Sequence, residues 1–205
     1  MENKVLALSF DDGPNTTITP KILDILEEYH IAASFFLIGQ NIKGEAVDVA
    51  KRALAMGCDI CNHSFTHKAM TELTPEEIRE EIEKTDALIQ SITGDIPIFF
   101  RPPYINVDDY LYDHVDKVFI CGAGCEDWVP EVPASARIEK TLQQAEDGMI
   151  FLFHDSEGND ATVETMKVII PELLSRGFEF ITVSEMFRRK NVPLDTKKHE
   201  IFTVL

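Results

Sequence analysis

Segments that favour β-strands and segments that favour α-helices alternate about seven times along this chain. Short apolar runs bounded by turn residues predict buried strands near residues 5–8, 32–39, 57–63, 98–100, 118–121, 149–153 and 178–181. Helical segments lie between them, and the clearest begins with the capping sequence Thr74-Pro75-Glu76-Glu77. Alternation of this kind is typical of a parallel sheet with crossover helices. We therefore predict an α/β fold, a small parallel (β/α) barrel of about seven strands.

The length of the chain fits one such barrel. Its 205 residues are enough for a substantial core, and they contain no internal repeat, low-complexity segment or linker. We predict a single domain over residues 1–190 and a polar C-terminal tail over residues 191–205.

The charge of the chain restricts its partners. It carries 36 acidic and 19 basic residues, a net charge of -17. Nucleic acids and anionic membranes both need a basic face, so neither is expected as a partner, and a neutral substrate is favoured. No stretch resembles a signal peptide or a membrane span. We expect a cytoplasmic protein if Met1 is the native start, and an extracellular or cell-surface protein if a leader has been removed.

The first chemical signal is Ser9-Phe10-Asp11-Asp12-Gly13-Pro14, which follows the first predicted strand. The carboxyl ends of parallel strands are where α/β folds place their chemistry. Successive strand residues point to opposite sides, so Asp11 and Asp12 should have different roles. We expect one to bind a metal and the other to transfer protons. A surface Asp-Asp-Gly turn is the structural alternative.

The second signal is a pair of histidines, His63 and His67, after the third predicted strand. If this stretch forms a helical turn, the spacing of four places both imidazoles on one side, where they can bind one ion. Two histidines and one aspartate leave positions open for water, which is typical of catalytic metal sites. Surface or core histidines are the alternative.

Three further signals follow later strands. Arg101-Pro102-Pro103-Tyr104 offers a guanidinium that can hold a carboxylate, on a loop stiffened by proline. Asp127-Trp128 contains the one tryptophan of the chain, which suits either a sugar-binding rim or core packing. Leu152-Phe153-His154 ends the sixth strand, and His154 can serve as a general acid or be a structural histidine.

The four cysteines are Cys58, Cys61, Cys121 and Cys125, and they could in principle form a four-thiolate zinc site. Cys58 and Cys61 lie three apart in a predicted strand and should face opposite sides. We therefore expect buried, reduced thiols, which also fit a reducing compartment.

Together, the five motifs resemble those of the polysaccharide deacetylases of the NodB-homology type, carbohydrate esterase family four. The resemblance covers roughly residues 4–187 and implies a distorted parallel (β/α) barrel. It implies that Asp12, His63 and His67 bind one divalent metal ion, usually zinc and sometimes cobalt or another ion. By the same resemblance, Asp11 is the general base and Arg101 orients it.

The resemblance also implies which residues protonate the leaving group and which bind the substrate. His154 matches the general acid, and Asp127 belongs to the fourth catalytic motif. The backbone N–H of Tyr104 matches a contributor to the oxyanion hole, and Trp128 and Leu152 match walls of the acetyl-binding pocket. The substrate implied is a neutral acetylated carbohydrate, foremost the N-acetyl groups of an N-acetylglucosamine-containing glycan. An O-acetyl esterase that acts on xylan is the alternative.

One position departs from the family pattern. Gly124 stands where the family usually carries an aspartate that orients the general acid. Asp127 and Asp155 are candidates to replace that carboxylate. The departure leaves a third possibility open, a non-catalytic glycan-binding domain of the same fold.

Overall fold

Nine β-strands form one curled parallel sheet in the computed structural model, which describes residues 4–205. Strands β1 to β8 are Lys4–Asp11, Ser34–Leu37, Asp59–Asn62, Phe99–Phe100, Val118–Ile120, Ala123–Gly124, Met149–His154 and Phe178–Phe180, and β9 is Ile201–Phe202. The strands lie in the order β6-β7-β1-β2-β3-β4-β5-β9, with β8 also paired to β1. The predicted distorted parallel (β/α) barrel is confirmed, in the form of a half-barrel surrounded by helices.

Seven α-helices connect these strands within the described residues. Helices α1 to α7 are Thr19–Glu28, Ala46–Ala55, Pro75–Thr93, Asp109–His114, Ala134–Gln144, Asp160–Ser175 and Val183–Arg189. The predicted capping box is present at α3, where Thr74 accepts a hydrogen bond from the backbone N–H of Glu77 and the Glu77 carboxylate accepts one from Thr74.

The alternation of side chains along β1 separates two apolar layers. Leu6, Leu8 and Phe10 face outward and pack against α1, α2 and α6. Val5 and Ala7 face inward, into a core that contains residues of β2 to β5 and β7 and is covered by α7. Each strand therefore has one phase that faces the helices and one that faces the barrel interior.

At the carboxyl ends of β1 and β7, polar side chains occupy the positions that face the barrel interior. Ser9 and Asp11 continue the inward column of β1 above Val5 and Ala7. On β7, Leu152 and His154 continue the phase of Ile150 in the same way. The carboxyl ends of these strands therefore aim their side chains at one rim of the barrel.

Two short strands were not predicted. β6 and β9 have two residues each, too few to show a periodic pattern. β9 lies in the predicted C-terminal tail and pairs with β5. Residues 203–205 then reach the start of β7, where Thr203 accepts a hydrogen bond from the N–H of Ile150 at 3.0 Å. Ile201 and Phe202 therefore form a strand of the sheet, and Val204 forms an isolated bridge with Met149 of β7.

All four cysteines are free thiols; Cys58, Cys61 and Cys125 are buried, as predicted, whereas Cys121 is partly exposed. Cys58 packs in the outer layer and Cys61 in the inner layer, so the two sulfurs face opposite sides of the sheet. Burial raises the pKa of Cys58 and of Cys125 to about 11, which keeps both protonated at neutral pH.

Among the described residues, no helix combines the length and the apolar character needed to cross a membrane.

Candidate active site

The rim of the barrel encloses a cavity of about 490 Å³. Eight of the ten predicted site residues line it: Asp11, Asp12, His63, His67, Tyr104, Trp128, Leu152 and His154. The other two, Arg101 and Asp127, are fully or almost fully buried and bond directly to Asp11 and His154. The predicted motifs therefore meet in one place.

Asp11 and Arg101 form a buried ion pair beneath the cavity. Arg101 Nη1 donates to Asp11 Oδ1 at 2.6 Å, and Nη2 donates to Ser9 Oγ at 2.8 Å and to the carbonyl of Cys121. Burial raises the pKa of Asp11, but the charges of Arg101, His63 and His154 and the hydrogen bond from Arg101 together outweigh burial, so the pKa is lowered. Asp11 is therefore held as a carboxylate, with one oxygen fixed by Arg101.

Asp12 differs from the prediction in its orientation. Strand alternation predicts that Asp11 and Asp12 face opposite sides, yet both line the cavity. Asp12 has a left-handed backbone, with φ at 78°, which turns its side chain back toward the rim. Asn41 supports this turn because its Nδ2 donates to the carbonyl of Asp12 at 2.8 Å. Asp155 supports it by accepting from the N–H of Gly13 at 3.0 Å.

His63 and His67 lie on a loop rather than on the predicted helical turn. Left-handed residues at Ser64 and His67, with φ near 64° and 60°, fold the loop so that the two rings stand 4.9 Å apart. Glu81 of α3 stabilises this loop by hydrogen bonds. Its carboxylate accepts from the N–H groups of Phe65 and Thr66 at 2.8 and 2.7 Å.

Asp12, His63 and His67 fit a divalent metal ion. Their ligand atoms all lie within 4.8 Å of one another. His63 Nδ1 lies 2.6 Å from the carbonyl of Arg101, which can only accept, so Nδ1 carries the proton. Burial outweighs the neighbouring carboxylates and lowers the pKa of His63, which keeps the ring neutral and leaves Nε2 with a free lone pair.

The lone pair of His63 faces another acceptor. Asp12 Oδ1 lies 3.6 Å from His63 Nε2 and 3.5 Å from His67 Nε2. This oxygen is buried and has no hydrogen-bond partner among the described residues. Acceptor atoms that converge without a proton between them are stabilised by a cation. The donor set of two imidazoles and one carboxylate is one that zinc and similar ions prefer.

His154 is held by Asp127 on the other side of the cavity. Asp127 Oδ1 lies 2.8 Å from His154 Nδ1, and Oδ2 accepts from the backbone N–H of His154 at 2.6 Å. Burial lowers the pKa of His154, but the hydrogen bond and charge of Asp127, with the charges of Asp11 and Asp12, raise it to about 9. The carboxylate that Gly124 lacks is thus supplied by Asp127, whereas Asp155 bonds to Gly13 and Thr19 instead.

Two aromatic side chains stand at the mouth of the cavity. Tyr104 is 70% exposed, and its ring contacts that of His67 edge-on at 4.8 Å. Trp128 is 56% exposed, and its ring contacts that of His154 at 5.7 Å. Exposed aromatic rings of this size suit contact with a ligand better than core packing.

Several supporting residues were missed by the sequence reasoning, namely Ser9, Glu81, Thr162 and Asn159. Glu81 had a detectable signal because it lies on the apolar stripe of α3 with Ile78, Ile82 and Ile89. A carboxylate on a buried helix face needs hydrogen-bond donors, and here they come from the histidine loop. The roles of the other three had no local signal because each side chain bonds to a residue at least 22 positions away, namely Arg101, Asp127 or Arg137.

The comparisons with known proteins agree on one protein family. The model of the family described as "Polysaccharide deacetylase" matches residues 1–118. A bifunctional xylanase/deacetylase of Pseudobutyrivibrio xylanivorans is 43% identical over 92% of this chain and 31% of its own length. A peptidoglycan-N-acetylglucosamine deacetylase, PgdA, of Listeria monocytogenes is 32% identical over 92% of this chain and 40% of its own length. The chain thus spans about a third to two-fifths of these relatives.

Two solved structures share the whole architecture. One is the Xyl-CE4 domain of a multidomain xylanase from the hindgut metagenome of Trinervitermes trinervoides, with 39% identity and a TM-score of 0.95 over 99% of this chain and 98% of the other. The other is a family 4 acetyl xylan esterase from Clostridium thermocellum in complex with a cobalt ion. It is 37% identical, with a TM-score of 0.95 over 98% of this chain and 99% of the other.

Proposed function

Because this chain belongs to the polysaccharide deacetylase family, we propose that it hydrolyses acetyl groups on a carbohydrate with a divalent metal ion held by Asp12, His63 and His67. The observation that carries the proposal is the buried, unpartnered Asp12 Oδ1 facing two imidazole nitrogens, in the same cavity as Asp11 and His154. The cavity thus combines a site for a cation with a carboxylate and an imidazole that can exchange protons.

Zinc is the first candidate for the ion, and cobalt is an alternative. The ligand set supports zinc, and the cobalt-bound relative supports an ion of similar preference. When bound, such an ion polarises a carbonyl oxygen and lowers the pKa of a bound water towards neutrality. With only three ligands from the protein, an ion held here would also be able to bind water and substrate.

Asp11 is proposed as the proton acceptor for the attacking water. Arg101 occupies its Oδ1, while Oδ2 lies 3.7 Å from His63 Nε2, beside the proposed metal position. A fixed carboxylate at this position can take a proton without rotating, which favours general-base catalysis. Arg101 therefore acts as the orienting residue, and Ser9 in turn supports Arg101.

His154 is proposed as the proton donor to the leaving group. Its Nδ1 is directed at Asp127, so Nε2 is the nitrogen available to the cavity. A sugar alkoxide or amine is a poor leaving group and needs a proton as the bond breaks. The raised pKa of His154 favours the protonated form that this step requires.

The acetyl group is proposed to lie against Trp128 and Leu152, with the backbone N–H of Tyr104 contributing to the oxyanion hole. Both walls line the cavity next to His154, and Tyr104 stands at the metal side. One well-placed donor to a developing oxyanion contributes about 3 kcal/mol to catalysis. The exposed rings of Tyr104 and Trp128 provide a rim on which sugar rings can stack.

Acetylated xylan is the substrate we place first. The relatives at 39% and 37% identity are described as the Xyl-CE4 domain of a multidomain xylanase and as a family 4 acetyl xylan esterase. The second candidate is an N-acetylglucosamine-containing glycan, which is supported by the 32% identical peptidoglycan deacetylase. The catalytic groups are compatible with both because esters and amides pass through similar tetrahedral intermediates.

Acetate release from two substrates tests the proposal. The protein would be stripped of metal, reloaded with zinc or cobalt, and incubated with an acetylated xylan oligomer and an N-acetylglucosamine oligomer. We expect release that depends on added metal and is faster from the xylan oligomer. Equal release from stripped protein would refute the metal role, and faster release from the amide would make the second candidate the function. Binding of an oligomer without release would identify the non-catalytic alternative.

A further inference from the structure

Arg137 is a buried cation whose hydrogen bonds all go to neutral oxygens. It lies on α5, and the residue is only 1% exposed. Nε donates to the carbonyl of Val132 at 2.9 Å, and Nη2 donates to that of Val129 at 3.4 Å. Nη1 donates to Asn159 Oδ1 at 2.6 Å and to Thr162 Oγ1 at 3.0 Å. Burying a guanidinium is costly unless a negative charge lies close by.

The hydroxyl group of Thr162 links Arg137 to the compensating negative charge of Asp127. Thr162 Oγ1 accepts from Arg137 and lies 2.9 Å from Asp127 Oδ2. Because a guanidinium can only donate, the proton of the Thr162 hydroxyl is left to point at the carboxylate. Arg137 and Asp127 thus form an ion pair bridged by a hydroxyl group, and both charges are buried.

Asn159 forms a second hydrogen-bonded bridge, from Arg137 to the backbone of Asp127 and His154. Its Oδ1 accepts from Arg137, so the amide orientation is fixed and Nδ2 points the other way. Nδ2 donates to the carbonyls of Asp127 at 3.2 Å and His154 at 3.0 Å. The bonds to Val129 and Val132 also fasten the loop that carries Asp127 and Trp128. Arg137 therefore fixes both the backbone and the carboxylate behind His154.

We propose that Arg137 and Thr162 are positioning residues for the leaving-group acid, acting through Asp127 to keep His154 aimed into the cavity. This inference rests on the role of His154 in the proposed function. Asp127 uses Oδ1 for the His154 ring and shares Oδ2 between the His154 N–H and the Thr162 hydroxyl. Without the hydroxyl, the carboxylate loses one of its hydrogen bonds, and Arg137 loses its link to the Asp127 carboxylate.

The dependence on the leaving group separates this role from a structural one. Hydrolysis of 4-nitrophenyl acetate releases a weakly basic phenolate that needs no proton, whereas release of a sugar alkoxide does. General acid catalysis contributes roughly 100- to 10,000-fold to such reactions, and misplacing the acid should remove part of that factor. We expect Thr162→Val, loaded with zinc, to lose about 10- to 100-fold in kcat on the acetylated xylan oligomer at unchanged KM. Its activity on 4-nitrophenyl acetate should stay within about threefold of the unsubstituted protein.

Matched variants complete the test. Thr162→Ser keeps the hydroxyl and should restore activity on the oligomer. Thr165→Val removes another buried hydroxyl of α6, one that donates to the carbonyl of Ala161 at 2.8 Å, and it should leave the ratio of the two activities unchanged. Arg137→Lys keeps the charge but loses the forked contacts, and it should show the same selective loss as Thr162→Val.

His154→Ala is the reference that separates a failure of the proposed function from a failure of the positioning role. If it loses both activities equally, the role of His154 as an acid is wrong and the proposed function needs another donor. If it is selective but Thr162→Val loses both activities equally, or neither, the positioning role is refuted. Thermal unfolding of each variant identifies any that fail to fold, and Thr162→Ser against Thr162→Val remains a comparison at a single buried position.

Discussion

Replacing Asp127 with asparagine should remove most of the pH dependence that His154 gives to folding. The folded protein raises the pKa of His154 from 6.5 to about 9. This difference corresponds to about 3 kcal/mol of additional stability when the imidazole is protonated in both states. Because the folded pKa is the higher one, this stability is complete below pH 6.5 and is lost as the pH rises to about 9.

The variant changes the charge of the partner while its size stays nearly the same. In Asp127→Asn, burial still lowers the pKa of His154, while the strongest upward influence is gone. The pKa should therefore fall towards its usual value of 6.5. In the proposed reaction, the alkaline limit of kcat should move to lower pH in the same variant, because less of the acid remains protonated.

Urea unfolding of the metal-free protein measures this effect. From pH 6 to pH 9, the unsubstituted protein should lose about 3 kcal/mol more than Asp127→Asn. Measurements stop at pH 9 because of Cys58 and Cys125. Folding raises the pKa of both thiols from 9.0 to about 11, so they make stability depend on pH mainly above pH 9. The NMR signals of the imidazole nitrogens report the ionisation of His154 directly.

A surface pair supplies the control. His199 Nε2 lies 3.2 Å from Asp113 Oδ1, and both side chains are exposed. Asp113→Asn removes a carboxylate from a histidine in the same way, but it should leave the titration of His154 unchanged. If the stability curves of Asp127→Asn and the unsubstituted protein run parallel from pH 6 to pH 9, Asp127 is not what raises the pKa of His154.

Four other substitutions test the remaining parts of the site. Asp11→Asn should lower acetate release by about 100-fold or more with the metal still bound, and activity equal to that of the unsubstituted protein would exclude Asp11 as the base. His63→Ala and His67→Ala should each lose bound zinc, measured by atomic emission, and stoichiometric zinc in both would refute the metal site. Gly124→Asp should weaken hydrolysis of the oligomer because a Cβ there lies 3.0 Å from the Trp128 ring, and a faster variant would contradict this reasoning.

The composition of the rim was predictable because it follows from strand phase. The apolar runs locate the strand ends, and alternation sets which residues face inward. His154 follows Leu152 and Ile150 in the inward phase of β7, and Asp11 follows Ser9 in that of β1. Parallel strands align their carboxyl ends, so motifs far apart in sequence were expected to meet.

The orientations of Asp12 and of the histidine loop were not predictable in this way. Both depend on left-handed backbone conformations at non-glycine residues, Asp12, Ser64 and His67, which local sequence does not favour. Contacts from distant segments stabilise them, including Asn41 on the carbonyl of Asp12 and Glu81 on the loop. Propensity and periodicity describe neighbours in sequence, and these contacts join residues 15 or more positions apart.

Which aspartate bonds to His154 depends on positions in the folded sheet that the sequence motif does not show. Gly124 stands where the family usually carries an aspartate, and in the sheet it pairs with Leu152, two residues before His154. A side chain at Gly124 would point at Trp128 rather than along β7. Asp127 lies beyond the end of β6, where one carboxylate can reach both the backbone N–H and the ring of His154. The position of Asp127 beyond the end of β6 is therefore what brings its carboxylate to His154.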